Sequence, residues 1–336
     1  MEALEVLASI TRLSPSIVRV VAQNPGKFTL QGTNTYIIGR QRPYTLVDTG
    51  EGKEQYVPVL EAALKELLPS GKSDNTDVSD IIISHWHGDH VGGLPSVLAL
   101  LRRLWDERDT GLPFIPPRLH KFPLPANKLS ERSDLSPIIN SLPLNSFTPA
   151  SDHSAFHDLH DGQEFITSSG SFHVLHTPGH TYDSICLFIA EDRALYTADT
   201  VLGQGTAVFE DLQLYISSLR KMLDYSRSNP YEVLYPGHGP VVSEGPALIE
   251  TYIKHRLERE AQVLEVLQTT PPNSDDNVSW TTWTIVSKIY QGYPDSLWTP
   301  AAHSITLHMQ KLKADGVVKQ LDGEGVHTRW ALNSKL

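Results

Sequence analysis

The stretch Asp80–His90, DIIISHWHGDH, is dense in side chains that bind metal ions. Its three consecutive isoleucines predict a short buried strand, because the apolar run is too short for a helix. Four side chains of the ligand type follow at once: His85, His87, Asp89 and His90. Their spacing does not suit one face of a regular strand or helix, so we expect a tight loop around Gly88. The apolar spacing after the loop predicts a helix to about Leu104.

Further ligand-type residues follow other predicted strands. The turns after three later strands carry His180, Asp199 and His238. The early strand Tyr44–Val47 runs into Asp48 and a glycine turn, which is a common composition for an active-site edge. The pattern therefore predicts that one edge of a sheet structure gathers several imidazoles and carboxylates.

The chemistry of these side chains indicates hydrolysis. Histidine with aspartate suits borderline divalent metals, so zinc is the expected ion and manganese or iron are the alternatives. The ligand set is too large for one tetrahedral ion, whereas two ions that share a carboxylate use all of it and keep positions open for water. Such a pair activates water at neutral pH and polarises the carbonyl or phosphoryl group that is attacked.

Composition bounds the classes of partner. The chain has 336 residues, of which 40% are hydrophobic and 20% charged, as in ordinary globular proteins. A net charge of −11 argues against a broad nucleic-acid or anionic-membrane surface. One cysteine, Cys186, permits no internal disulfide. The chain shows neither a signal peptide nor an apolar run of about 18 residues, so we expect a soluble, cytoplasmic protein.

The chain divides into two predicted domains. Residues 1–245 form the hydrolase domain, within which the proline-rich residues 106–150 predict an irregular insertion that covers the site as a lid. Residues 246–336 begin with a long helix, Ala247–Leu267. Two further helices and a hairpin follow, so this part predicts a winged-helix-like module.

The motifs resemble those of a known family. The segment SHWHGDH resembles the HxHxDH signature of the metallo-β-lactamase superfamily. His180, Asp199 and His238 fall in the later metal motifs of that family, in the same order, and Asp48 matches the aspartate that closes an early strand. The resemblance covers roughly residues 17–245. It implies an α/β fold, an αββα sandwich with the metals at one edge.

The resemblance also implies a role for each matched residue. The first ion would be held by His85, His87 and His180, and the second by Asp89, His90 and His238, with Asp199 bridging the two. Asp89 matches the position treated as proton acceptor or donor. That role conflicts with metal binding, since a metal-bound carboxylate is a weaker base; we keep both roles and give the ligand role more weight. Asp48 would orient a ligand imidazole.

A narrower resemblance covers nearly the whole chain. Residues 26–39, 46–52, 177–187 and 235–242 resemble the lactamase-like thioesterases, which include the atrochrysone carboxyl ACP thioesterases that act beside fungal non-reducing polyketide synthases. The C-terminal HRLERE and ITLHMQKLKADGVV segments are similar as well. The implied reaction releases an aromatic polyketide from the acyl carrier protein of the synthase, which makes the carrier domain the expected partner.

Other functions stay open at this point. A lactamase-like endoribonuclease acting on single-stranded RNA has the same architecture, although the net charge of −11 counts against it. A winged-helix binding protein with a vestigial metal site conflicts with the intact ligand set. A glyoxalase-II-like thioesterase would carry a glutathione-binding tail that this chain does not resemble.

Two smaller features also have alternative interpretations. Asn34 either donates to substrate or stabilises a turn. Lys254, Arg256 and Arg259 either meet an acidic carrier domain or, as we expect, form a solvated helix face with pairs spaced by four residues.

Overall fold

Two β-sheets lie face to face at the centre of the computed structural model, which describes residues 4–67, 74–167, 170–272 and 279–333. The first sheet holds, side by side and in this order, β1 (Ile10–Arg12), β2 (Ile17–Val21), β3 (Asn34–Ile38), β4 (Tyr44–Val47), β5 (Val78–Ile83), β6 (Arg118–Lys121) and β7 (Phe156–Asp158). The second sheet holds, also in chain order, β8 (Glu164–Thr167), β9 (Gly170–His176), β10 (Ile185–Ile189), β11 (Ala194–Ala198) and β12 (Val233–Pro236).

Helices cover the outer faces of both sheets. In chain order they are α1 (Tyr56–Glu66), α2 (Gly88–Val91), α3 (Leu94–Asp106), α4 (Ser136–Asn140), α5 (Leu212–Ser226) and α6 (Gly245–Leu267). Apolar side chains of α1 and α3 pack on the first sheet, and those of α5 and α6 pack on the second. The predicted αββα sandwich is therefore confirmed.

The isoleucine run of β5 shows how the layers are held together. Ile81 and Ile83 pack toward the helices, whereas Ile82 joins the core between the two sheets. Successive side chains of a strand point to opposite faces, so a strand with both faces buried is apolar throughout. The inter-sheet core also contains Tyr36 of β3 and Tyr196 of β11, whose rings meet edge to face at 5.4 Å.

The insertion at residues 106–150 is less irregular than its prolines predict. It contains β6, a strand inside the first sheet, and the short helix α4. The sequence of β6, RLHK, does not reveal this role, because two of its three buried side chains, His120 and Lys121, are polar. His120 lies 2.8 Å from the carboxylate of Asp80, and Lys121 is paired with Asp183. Buried polar groups need such partners, and only the tertiary structure supplies them.

The C-terminal part forms a small module with its own core. It contains β13 (Trp280–Thr281), α7 (Thr282–Ile289), α8 (Trp298–Ala314), β14 (Val318–Gln320) and β15 (Arg329–Leu332), with β15 as the central strand of its sheet. Sequence spacing places Trp280 in a helix, but it lies in β13 and pairs with Trp330. Within the described residues, no helix is long and apolar enough to cross a membrane.

Helix α6 belongs to both cores. Ile249 and Tyr252 pack against the second sheet, whereas Val263 and Leu267 pack in the core of the C-terminal module. A helix that is shared in this way joins the two parts rigidly. The division of the chain at residue 245 stays a prediction.

His308 on α8 is expected to make folding stability depend on pH. The side chain is fully buried, and neither ring nitrogen has a hydrogen-bond partner among the described residues. Burial, together with the cations Arg256, Arg259 and Lys311, lowers the pKa of His308 to about 3. Below the ordinary pKa of about 6.5 the unfolded chain therefore binds a proton that the folded chain does not, and stability falls as the pH is lowered toward 3.

The test compares urea unfolding of the wild type and of His308→Met at pH 7 and at about pH 4.5. The variant is expected to lose about 2–3 kcal/mol less than the wild type over this interval. His255→Met, at an exposed position of α6, serves as the control and should follow the wild type. An equal loss in the wild type and in His308→Met would contradict the expectation.

Candidate metal centre

The predicted ligand residues meet at one edge of the sandwich, in the segments that follow four strands. After β5, His85 and His87 lie in a loop, whereas Asp89 and His90 lie in the short helix α2, where the sequence predicts a loop. The loops after β9, β11 and β12 supply His180, Asp199 and His238. Their ligand atoms form two groups, each with all atoms within 4.8 Å of one another: His85, His87, His180 and Asp199 in the first, and Asp89, His90 and His238 in the second.

The first group is a triangle of imidazole nitrogens. His87 Nδ1 lies 3.0 Å from His85 Nε2 and 3.0 Å from His180 Nε2, and the latter two atoms are 3.2 Å apart. Zinc–nitrogen bonds of 2.0–2.1 Å in a tetrahedron place ligand atoms about 3.3 Å apart. The three nitrogens therefore fit a single small divalent ion.

The second group combines imidazole and carboxylate. Asp89 Oδ2 lies 3.4 Å from His90 Nε2 and 3.2 Å from His238 Nε2. The Asp199 carboxylate stands between the two groups, with one oxygen 3.3 Å from His90 Nε2 and the other 3.6 Å from His180 Nε2. A carboxylate in this position suits a bridge between two ions.

The ring nitrogens on the outer side of the group have partners that fix the imidazoles. His180 Nδ1 donates to the carbonyl of Val208 over 2.8 Å, and His90 Nδ1 donates to the Asp48 carboxylate over 2.7 Å. His85 Nδ1 lies 2.9 Å from the hydroxyl of Ser84. Such partners hold the tautomer in which Nε2 carries the lone pair and faces the centre of the group.

Asp48 accepts several of the hydrogen bonds in this outer layer. Its carboxylate is fully buried and accepts from Ser84 N and Ser84 Oγ at 2.8 Å each, as well as from His90 and from the hydroxyl of Tyr196. The backbone of Asp48 has φ of 61°, which is uncommon for a residue other than glycine. This geometry supports the predicted orienting role, which stays a prediction.

The charge states of the two groups differ. Burial lowers the pKa of His85, His87 and His180, to about 3 for His87, so these imidazoles are neutral and ready to donate lone pairs. Burial also acts to lower the pKa of His90 and His238, but the nearby carboxylates outweigh it and raise that of His238 to about 9. Cations that bind the second group would therefore displace protons.

Two observations test whether metal ions fit this site. His90 Nε2 and Asp199 Oδ1 are buried and lie 3.3 Å apart, but among the described residues neither makes a well-directed hydrogen bond, as expected of atoms that coordinate an ion. The absence of a side chain at Gly237 provides the space that these ligands need, because a Cβ at that position would lie 2.4 Å from Asp199 Oδ1 and 3.0 Å from His90 Cε1. The donor set and the space both fit divalent metal ions.

A cavity of about 630 Å³ opens over the two groups. Its floor contains His87, Asp89 and Asp199, and its wall includes the segment 202–208. The mouth carries Phe28, whose side chain is 69% exposed, and the cations Lys27 and Arg132. The cavity thus offers an apolar surface to an extended substrate and positive charge near its entrance, and we call it the metal cavity.

Two residues of α6 support the wall of the metal cavity: Tyr252, which the sequence does not single out, and Arg256, for which it predicts a solvated face. Tyr252 accepts from Leu202 N over 3.2 Å and donates to the carbonyl of Gly205 over 2.9 Å. Arg256 donates to the carbonyl of Ala207 over 2.9 Å and stacks on the ring of Phe209 at 4.8 Å. The prediction of a solvated helix face is therefore wrong for Arg256, whose side chain lies against the wall of the metal cavity. The four-residue spacing of Tyr252 and Arg256 places them on one helix face but does not identify their partner.

Asn34 belongs to the same supporting layer. Its amide donates to the carbonyls of Pro236 and Gly239 over 3.0 and 2.8 Å, and so closes the turn that carries His238. This contact favours the turn-stabilising interpretation of Asn34 over contact with substrate.

Loss of Arg256 is expected to weaken metal binding without removing a ligand. The guanidinium of Arg256 donates to the Ala207 carbonyl, and the carbonyl of the adjacent Val208 accepts from the ligand imidazole of His180. Hydrogen-bond partners of ligand imidazoles contribute about 10–100-fold to metal affinity. Arg256→Ala should therefore lower zinc affinity about tenfold in a chelator competition assay. Lys254→Ala removes a cation from an exposed position of the same helix and should leave affinity unchanged. Equal affinities in the two variants would show that the wall does not depend on Arg256.

The family models match the chain in two parts. A model of the metallo-beta-lactamase superfamily matches residues 28–238, and one of the beta-lactamase associated winged helix domain matches residues 281–330. The chain belongs to the metallo-beta-lactamase superfamily, a class of hydrolases.

Individual relatives agree with this assignment. A "Beta-lactamase-like protein 2 homolog" of Caenorhabditis elegans is 33% identical over 95% of this chain and 91% of its own length. An "Atrochrysone carboxyl ACP thioesterase" of Emericella nidulans is 34% identical over 78% of this chain and 67% of its own length. The crystal structure of a metallo-beta-lactamase family protein from Thermus thermophilus covers 96% of this chain and 100% of its own, with 19% identity and a TM-score of 0.64, which is a similarity of fold.

Proposed function

We propose that this chain is a metal-dependent thioesterase that releases an aromatic polyketide acid from the acyl carrier protein of a non-reducing polyketide synthase. The observation that carries the proposal is the double group of ligand atoms on the floor of the metal cavity. Relatives that are named atrochrysone carboxyl ACP thioesterases, 32–34% identical over 78% of the chain, support the substrate class.

Two divalent ions, zinc in the first place, would activate water at neutral pH and polarise the thioester carbonyl when bound. We assign His85, His87 and His180 to one ion, Asp89, His90 and His238 to the other, and Asp199 to both. Water adds to the carbonyl carbon, the carbon–sulfur bond breaks, and the products are the acid and the carrier thiol.

Asp89 is the residue that we assign to proton transfer. Its side chain is 22% exposed on the floor of the metal cavity. Its Oδ2 is held by Thr33 Oγ1 at 3.1 Å and His238 Nε2 at 3.2 Å, and this contact leaves Oδ1 to exchange a proton with water. Burial acts to raise the pKa of Asp89, but the neighbouring imidazoles outweigh it and keep the carboxylate ionised. A thiol leaves with a pKa of about 8.5, so it needs little acid assistance.

The alternative is a nuclease that cuts single-stranded RNA. Two relatives that match 95% and 93% of the chain have names that state no substrate. Lys27 and Arg132 stand at the mouth of the metal cavity. The net charge of −11 weighs against a polyanionic substrate.

The test supplies the zinc-loaded protein with an aryl-acyl thioester on a carrier domain and, separately, with a short single-stranded RNA. The proposal expects cleavage of the thioester, intact RNA, and at least about a 100-fold loss of thioesterase rate in Asp89→Ala. Cleavage of the RNA with an intact thioester would assign the chain to the nucleases.

A further inference from the structure

A second cavity lies at the same sheet edge as the metal centre. Strands β5, β6 and β7 are parallel, and their registers place Ile83 beside Lys121 and Lys121 beside Asp158. Ligands bind beyond the carboxyl ends of parallel strands, and the loop that begins with His85 leaves β5 there. Adjacent strands are about 4.8 Å apart, so the ends of β6 and β7 lie roughly 5–10 Å along the edge from the end of β5, where the segment with the ligands begins.

This cavity, the insertion pocket, is mainly apolar. Its volume is about 240 Å³, and one wall is formed by Phe122, which follows β6, and by Phe156, the first residue of β7. The opposite wall comes from the insertion, through Leu129, Leu135 and Ile139. An apolar protein cavity of about 150 Å³ accommodates benzene, so the insertion pocket has room for an aromatic ring with substituents.

A single turn of the insertion separates the insertion pocket from the metal cavity. In the 3₁₀ helix Glu131–Ser133, Arg132 lines the metal cavity, whereas Ser133 and the preceding Leu129 line the insertion pocket. The hydroxyl of Ser130 accepts from Ser133 N and so fixes the turn. The two cavities therefore lie next to each other, on either side of this turn.

The insertion is also tied to the loop of His180. Lys128 Nζ lies 2.8 Å from the hydroxyl of Tyr182, two residues beyond His180, and 4.1 Å from the centre of its ring. The side chain of Leu129 is 60% exposed and lines the insertion pocket. Ile138 anchors the helix α4 on the core of the first sheet, whereas the next residue, Ile139, lines the pocket.

We propose that the insertion pocket binds the acyl group of the thioester, and that Leu129 and Ile139 set the size of acyl group that the enzyme accepts. The proposal rests on the proposed thioesterase function. The occupant is a hydroxylated aromatic acyl group. Asp134 and Asp158 place carboxylate acceptors on the same walls. A phenolic hydroxyl donates a hydrogen bond to a carboxylate, whereas an all-alkyl chain has no donor.

The experiment measures kcat/KM for a hydroxynaphthoyl and an acetyl thioester of N-acetylcysteamine, with the zinc-loaded protein. Ile139→Trp fills the pocket and should lower the value for the hydroxynaphthoyl thioester about tenfold or more, with less than about a twofold change for the acetyl thioester. Leu129→Ala, at an exposed position that folding tolerates, should raise KM for the aromatic substrate alone. Leu144→Trp is the matched control, since Leu144 lies on the same insertion, is 91% exposed and lines neither cavity.

A fluorescence titration with free hydroxynaphthoic acid separates this inference from the proposed function. Binding that Ile139→Trp weakens and Leu144→Trp does not, in a protein that cleaves no thioester, would uphold the pocket and refute the thioesterase. Thioester hydrolysis in which Ile139→Trp and Leu129→Ala affect both substrates equally, or neither, would refute the pocket and leave the thioesterase standing.

Discussion

Asp199→Asn is expected to lower thioester hydrolysis by at least about a thousandfold, the largest effect of any single substitution that leaves the fold intact. The carboxylate stands between the two ligand groups, with one oxygen 3.3 Å from His90 Nε2 and the other 3.6 Å from His180 Nε2. An amide in its place offers one oxygen and an NH₂ group, which does not coordinate a cation. The variant would therefore lack the carboxylate that we propose to serve both ions.

The measurement combines metal content by mass spectrometry with initial rates. Asp199→Asn should retain fewer ions than the wild type after dialysis against buffer without metal. The matched control is Asp224→Asn, which makes the same change in an exposed ion pair on α5 and should behave as the wild type does. Full activity in Asp199→Asn would remove the bridging carboxylate from the mechanism.

The second large effect is expected from Asp48→Asn, which should lower both the free energy of unfolding and the affinity for metal. All four partners of the Asp48 carboxylate are donors: Ser84 N, Ser84 Oγ, His90 Nδ1 and the Tyr196 hydroxyl. The NH₂ group of asparagine would face some of these donors with another donor, and a buried donor without an acceptor is costly. We expect a loss of about 3 kcal/mol in unfolding free energy and about a 10–100-fold loss of affinity at the second metal site.

Tyr196→Phe provides the comparison for this prediction. It removes one donor and keeps the carboxylate, so it should cost about 1 kcal/mol and leave metal affinity within a few-fold of the wild type. Urea unfolding with and without zinc, together with a chelator competition assay, measures both quantities. Equal metal affinities in Asp48→Asn and Tyr196→Phe would show that Asp48 supports the fold only.

The local parts of the site are predictable from sequence because strand, loop and ligands are contiguous. Residues 80–90 contain a buried strand and four of the side chains that meet at the centre. His180, Asp199 and His238 each follow a strand, and strand ends at one edge bring their loops together. The αββα arrangement and the winged-helix module follow from the same motifs.

The supporting contacts are not predictable in this way, because they join residues far apart in the chain. Arg256 reaches Ala207 across 49 positions, and its charge alone suggests a solvated helix face. Strand β6 is hidden for a similar reason: its buried His120 and Lys121 look like surface residues until Asp80 and Asp183 are placed beside them. The hydrophobic periodicity of a sequence identifies a buried strand only when the buried side chains of that strand are apolar.

A zinc titration of metal-free protein, in which bound zinc and release of acid from a carrier-bound aryl thioester are followed together, decides whether hydrolysis depends on the metal centre. We expect that activity is absent without zinc, rises with occupancy and reaches its plateau at two ions per chain, one for each ligand group. Undiminished hydrolysis by the metal-free protein, or two bound ions with no hydrolysis of the thioester, would contradict this expectation.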